Sequence, residues 1–114
     1  MKIRTYHFFT TVDHGYLLPK PEELAAVLPV DPETQIPRIS ETLSLTQEPI
    51  IDGRGNGWIL LEEDCQAPEF IELLADAIGI FPHQIRRRIR HHETSLTFQE
   101  LVAHIETWMT LNLP

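Results

Sequence analysis

The sequence is poor in the features that mark secreted and membrane-bound proteins. Its 114 residues include a single cysteine, Cys65, which cannot form an internal disulfide. Because disulfides mark oxidising compartments and thiolate metal sites need more than one sulfur, we expect a reducing, cytoplasmic location. No apolar run approaches the ~20 residues that span a bilayer. The N-terminal segment MKIRTYHFFTTVDHG also has no apolar stretch of signal-peptide length, so we expect no membrane association.

Recognisable catalytic and metal-binding motifs are lacking as well. The segment GRGNG has the glycines of a phosphate loop, but neither its Lys-Ser/Thr pair nor a following helix. The acidic run at residues 62–64 is paired with no base or nucleophile in the sequence. The C-terminal histidines match no standard zinc spacing; they are His83, His91, His92 and His104. The sequence therefore predicts no enzymatic activity, no cofactor and no metal.

Charge is distributed unevenly along the chain. The net charge is −8, yet residues 82–92 contain four arginines and no acid. This segment carries +4, so the remainder carries −8 − 4 = −12. The field of an acidic body repels polyanions at long range. Exposed charges are screened beyond ~8 Å at physiological salt, however, so a concentrated basic segment can still bind an anion locally.

Composition and residue periodicity predict one small α+β domain over residues 1–114. Hydrophobic residues make up 42% and charged residues 23% of the chain, which is typical of globular proteins and argues against disorder. Residues 2–10, 38–46 and 58–62 are expected to be strands, with a loop at residues 11–18. Asn56-Gly57 predicts a hairpin turn, because both residues tolerate positive φ. We therefore expect a small three-stranded antiparallel sheet, mainly within residues 1–66.

Helical signals dominate residues 67–114. A short N-terminal helix should begin at Pro21, and three C-terminal helices should follow the strands. The first of these three should end at Gly79, and the second should begin at Pro82 and continue through residue 92. In the last helix, Thr97 and Glu100 match a capping box. The predicted core consists of Ile39, Leu43, Leu45, Ile59, Leu61, Leu74, Ile78, Ile85, Leu101 and Ile105.

Residues 73–90, LLADAIGIFPHQIRRRIR, combine a small residue, a turn glycine and flanking isoleucines at the spacing of a helix-turn-helix. With Ala75, Gly79, Ile80 and Ile85 in these positions, the segment resembles the helix-turn-helix of phage Cro-type repressors. In that family the second helix lies in the major groove of DNA. The resemblance implies that duplex DNA would be contacted by His83, Gln84, Arg86, Arg87 and Arg90. Arg88 departs from the pattern, because its position is usually apolar and faces the core.

Two functions are compatible with this segment. In the first, the protein is a small transcription regulator that binds duplex DNA, and its sheet could mediate homodimerisation or sensing. In the second, it is an adaptor or assembly factor whose arginine-rich helix binds an acidic protein partner. In both cases Arg86 and Arg90, four residues apart, would lie together on one exposed helix face.

Overall fold

The computed structural model describes residues 4–28, 33–34 and 49–112. The predicted strand at residues 38–46, with its three core positions, lies outside the described residues. The observed elements are β1 (Tyr6–Thr10), β2 (Gly15–Leu17), α1 (Pro21–Val27), β3 (Ile50–Ile51), β4 (Gly57–Trp58), β5 (Leu61–Glu62), α2 (Gln66–Ile78), α3 (Pro82–Arg86), β6 (Ile89–Glu93) and α4 (Phe98–Asn112). The α+β class is confirmed.

The main sheet is mixed and has four strands in the order β5-β2-β1-β6. Strands β1 and β2 are antiparallel, as are β2 and β5, whereas β6 runs parallel to β1. The predicted three-stranded antiparallel sheet is therefore wrong in strand number and direction. One reason is that β2 lies in the expected loop. There Thr11 reverses the chain: its hydroxyl donates to the carbonyl of His14 at 2.8 Å and accepts from the N–H of the same residue at 3.1 Å.

The predicted strand at residues 58–62 is split between two sheets. Trp58 pairs with Ile50 in a small β3–β4 hairpin, while Leu61 pairs with Leu17 in the main sheet. The predicted hairpin is present, and within it Gly55 has a positive φ of 84°, whereas Gly57 does not.

The carboxylate of Asp52 organises this hairpin. It accepts hydrogen bonds from the backbone N–H of Arg54 at 2.8 Å and of Asn56 at 3.0 Å, and from the indole N–H of Trp58 at 3.1 Å.

Apolar side chains cover both faces of the main sheet. Towards α1 and α2 the core includes Tyr6, Leu17, Leu24, Phe70, Leu74 and Ile85, and towards α4 it includes Phe9, Leu18, Trp58, Leu101, Ile105 and Met109. The predicted core residues within the described part are buried, except Ile78, which is half-buried. Burial of such an aliphatic side chain stabilises the fold by ~1.5–3 kcal/mol.

Residues 82–92 do not form one helix. Helix α3 ends at Arg86, and the chain then enters β6, so the predicted helix is wrong beyond its first five residues. A continuous helix would have placed Arg88 three residues after the buried Ile85, on the same face, and a buried unpaired guanidinium is costly. In the turn that joins α3 to β6, Arg88 is instead exposed, and its carbonyl accepts from the N–H of Tyr6 at 3.1 Å.

The capping box of α4 is confirmed. The Thr97 hydroxyl accepts from the N–H of Glu100 at 3.2 Å, and the Glu100 carboxylate accepts from the N–H of Thr97 at 3.1 Å. Beyond the cap, Leu101, Ile105 and Met109 form the buried stripe. None of the helices in the described ranges has both the length and the apolar character needed to cross a membrane.

Replacing the cap should destabilise the protein measurably. We expect Thr97→Ala to lower the free energy of unfolding by about 1 kcal/mol, because the N–H of Glu100 loses its acceptor. Urea denaturation at neutral pH measures this change. The matched control is Thr107→Ala, at an exposed position within the same helix. It should have no effect or stabilise slightly, because Ala has the higher helix propensity. Equal losses in the two variants would contradict a capping role.

Candidate functional site

Four exposed arginines, Arg86, Arg87, Arg88 and Arg90, surround the junction between α3 and β6, and we call them the arginine surface. Within the described residues, none of the four forms an ion pair or a side-chain hydrogen bond. The salt bridges found there join Arg4 to Glu23, and His14 to two neighbouring acids. The charge of the arginine surface is therefore not neutralised by the described part of the chain.

His83 and Gln84, also predicted to contact DNA, lie on α3 beside the arginine surface. The His83 ring stacks on the ring of Phe81, with centroids 5.7 Å apart and planes 11° apart. The Gln84 side-chain oxygen accepts from the N–H of Phe81 at 2.9 Å and so closes the first turn of α3. Gln84 thus has a structural role. Phe81 itself is 68% exposed, which adds an apolar ring to this surface.

Arg86 and Arg90 do not share a helix face, so that prediction is wrong. Arg86 belongs to α3, whereas Arg90 belongs to β6, where successive side chains point to opposite faces of the sheet. Ile89 and His91 point towards α2, where Arg86 also lies. Arg90 points to the opposite face, with His92. The two arginines therefore lie on opposite sides of the edge strand.

Strand β6 exposes one edge of its backbone, which we call the β6 edge. In its parallel ladder with β1, the Arg88 carbonyl accepts from Tyr6, and the N–H of Thr94 donates to Thr10 at 2.9 Å. Alternate residues of a parallel strand point their amides to the same side. The amide groups of Ile89, His91 and Glu93 therefore face away from β1. No other strand among the described residues pairs with them.

A pocket of about 250 Å³ adjoins β6 on the α2 side, and we call it the β6 pocket. Its walls are mostly apolar and include Phe8, Leu17, Ile71 and Ile89, while Glu63, Arg86 and His91 supply polar groups. Sequence reasoning did not anticipate this pocket or the β6 edge. Both depend on the pairing of β6 with β1, for which the helical periodicity of residues 73–90 gave no signal.

The α4 side of β6 carries a cluster of aromatic rings around two histidines. The His92 ring stacks on Phe9, with centroids 4.6 Å apart, and meets Trp108 edge-on at 5.2 Å. The His92 Nε2 atom lies 2.9 Å from the Nδ1 atom of His7, so one nitrogen donates a proton and the other accepts it. Burial lowers the pKa of His7 to about 4, with smaller contributions from His92, Arg4 and Arg90. Burial, then Arg90 and His91, also lower the pKa of His92.

The histidine pair should make stability depend on pH. A histidine whose folded-state pKa lies below its unfolded value of ~6.5 stabilises the fold fully above that value. This contribution is lost as the pH falls towards the folded pKa of His7, about 4. We therefore expect the free energy of unfolding to decrease between roughly pH 7 and pH 5, and to decrease less in His7→Phe. Urea denaturation at the two pH values measures both.

The control for this measurement is His104→Phe, at an exposed position of α4. It removes a histidine without touching the His7–His92 pair, so its pH dependence should match that of the wild type. If His7→Phe also kept the full wild-type dependence, the proximity of the two rings would have no energetic consequence and the prediction would be wrong.

The remaining reactive side chains are dispersed. Among the described residues, no three side chains of the metal-binding types come together, and Cys65 is exposed, with its N–H donating to Glu62 at 2.7 Å. The grounds for assigning a function are therefore the arginine surface, the β6 edge and the β6 pocket. The chain was compared with protein-family models, curated proteins and solved structures, and none of the three comparisons gave a match.

Proposed function

We propose that this protein is an interaction module, an adaptor or assembly factor, that binds an acidic partner protein through the arginine surface. The observation that carries the proposal is the presence of four exposed arginines, without ion pairs in the described part of the chain, around an edge strand. Guanidinium groups are always charged and bind carboxylates in a bidentate manner. Carboxylate side chains are accordingly the partner groups that this surface fits best.

The negative charge on the rest of the molecule restricts an acidic partner to the arginine surface. Removing the +4 of residues 82–92 from the net charge of −8 leaves −12 on the rest of the chain. An acidic partner is repelled by that remainder and attracted by the arginine surface, so the charges orient its approach. Such complementarity contributes more to association rate and orientation than to raw affinity.

The local geometry favours an acidic protein over duplex DNA. A recognition helix must lie along a groove ~12 Å wide and present several side chains to base edges. Helix α3 has five residues, which at ~1.5 Å per residue rise only ~7.5 Å. Arg86 and Arg90 lie on opposite sides of an edge strand, and Gln84 is engaged within α3. Duplex DNA is therefore the second candidate.

A binding assay with two polyanions tests the proposal. We expect fluorescently labelled poly-L-glutamate to bind the protein at ~50 mM salt and to bind more weakly at ~200 mM, since exposed charges are screened. The double variant Arg86→Ala/Arg90→Ala should bind at least about tenfold more weakly, because two charge-assisted contacts are lost. Fluorescence anisotropy measures both effects. Mixed-sequence duplex DNA, assayed in parallel, should bind more weakly than poly-L-glutamate.

Two controls make the result specific. Arg54→Ala removes a positive charge from the β3–β4 hairpin and should leave binding nearly unchanged. The thermal stability of the double variant should match the wild type, because neither arginine has an ion pair within the described residues. Stronger, arginine-dependent binding of duplex DNA would favour the transcription-regulator function instead. Failure of poly-L-glutamate to bind even at low salt would contradict the proposal.

A further inference from the structure

The β6 edge offers a binding mode more specific than charge alone. Every second amide of β6 points outward, at Ile89, His91 and Glu93, because the intervening amides are bonded to β1. An exposed row of this kind is a template on which an extended peptide can add as a further strand. Arg86 lies on one side of this row and Arg90 on the other, so an added strand would run between two guanidinium groups.

We infer that an extended acidic segment of the partner adds to the β6 edge as a fifth strand and places an apolar side chain in the β6 pocket. This inference rests on the proposed function and specifies how the partner binds. The carboxylates on one face of the segment would contact Arg90 on the α4 side, and the apolar side chain on the other face would enter the β6 pocket, which Arg86 lines on the α2 side. The added backbone would bond to the outward amides of β6.

The positive charges beside the β6 edge determine which kind of strand can pair with it. Exposed charges on an edge strand normally prevent it from pairing with other chains. An antiparallel second copy of β6 centred on Arg90 would bring the two Arg90 side chains opposite each other, and like charges across a strand pair are destabilising. An acidic segment reverses the sign of this interaction. The arginine surface therefore disfavours self-association through β6 and favours a partner strand rich in Asp or Glu.

The β6 pocket fits one side chain better than a whole ligand. Its volume of about 250 Å³ lies below the roughly 300–1,000 Å³ of small-molecule pockets. It borders Ile89 and His91, whose side chains point towards α2. An added strand would lie ~4.8 Å from β6 with every second side chain on the same face. A Val, Leu or Ile on that face would reach the apolar wall, while acidic residues on the other face would meet Arg90.

Peptides that differ only in pattern test the inference. The probe is the labelled peptide EVELEVE, in which acidic and apolar residues alternate as a strand requires, and its control is EEEEVLV, of equal composition. Two further probes carry N-methyl groups on either the acidic or the apolar positions of EVELEVE. We expect EVELEVE to bind at least about tenfold more tightly than EEEEVLV, since one or two hydrogen bonds account for such a factor. One N-methylated isomer should lose binding and the other should retain it, because only alternate amides face β6.

A backbone variant tests the same contact from the protein side. His91→Pro removes an outward N–H of β6 and leaves the ladder to β1 intact, which is the edge position where proline is tolerated. His91→Ala is the matched control, because it removes the imidazole and keeps the N–H. We expect His91→Pro to bind EVELEVE about tenfold more weakly than His91→Ala. If His91→Pro does not fold, the two N-methylated isomers give the same information with the wild-type protein.

The outcomes separate this inference from the proposed function. If poly-L-glutamate binds, but EVELEVE, EEEEVLV and both N-methylated isomers bind equally, strand addition is wrong and charge-based binding stands. If poly-L-glutamate binds and EVELEVE binds in the predicted pattern, both are supported. If neither poly-L-glutamate nor any of the peptides binds at low salt, the proposed function fails and the inference fails with it.

Discussion

The parallel pairing of β6 with β1 is the constraint on which the rest of the structure depends. It begins at the bond from Tyr6 to Arg88 and ends at Thr94, whose N–H and hydroxyl both donate to the carbonyl of Thr10 at 2.9 Å. Strand β1 is thereby flanked on both sides, by β2 and by β6. The same pairing positions the His92 ring against Phe9 and places Arg90 in the edge strand, which directly follows the other three arginines. Without it, β6 would have no strand to pair with among the described residues.

A second, half-buried interaction joins the start of β1 to α1. The Glu23 carboxylate accepts from the hydroxyl of Tyr6 at 2.7 Å, from the guanidinium of Arg4 and from the N–H of Lys20 at 2.9 Å. Burial alone would raise the pKa of Glu23, but these hydrogen bonds, led by those of Arg4, hold it below its usual range. The carboxylate is thus kept ionised where it both caps α1 and orders the start of β1. Arg4 is therefore a structural cation, unlike the arginine surface.

The sequence predicted the helices better than the sheet, for physical reasons. Helix α1 starts at Pro21, α2 ends at a left-handed Gly79, and α4 starts with the Thr97–Glu100 box, as their local signals indicate. Such signals act within one turn, whereas strands such as β2 and β5, with three and two residues, form only through distant partners. For β6, helical periodicity was overridden by tertiary structure. The sequence shows the positive charge of the candidate site. It does not show that Arg86 and Arg90 lie on opposite sides of a strand.

The position of Arg88 explains why residues 82–92 do not form the predicted helix, and it bears on the proposed function. As part of a longer α3 it would have been a cation facing the core, so the fold is consistent only if the helix ends before it. Once the chain leaves the helix, Arg88 and Arg90 become part of an exposed edge, and edge strands need either a cover or a charge that prevents unwanted pairing. In the proposed binding mode, the arginine surface meets that need against copies of the same chain. Because the barrier to pairing at this edge is electrostatic and not steric, it does not act against a strand that carries negative charge. In the proposed binding mode, the positive charge that disfavours pairing between copies of β6 is therefore also what selects an acidic partner strand.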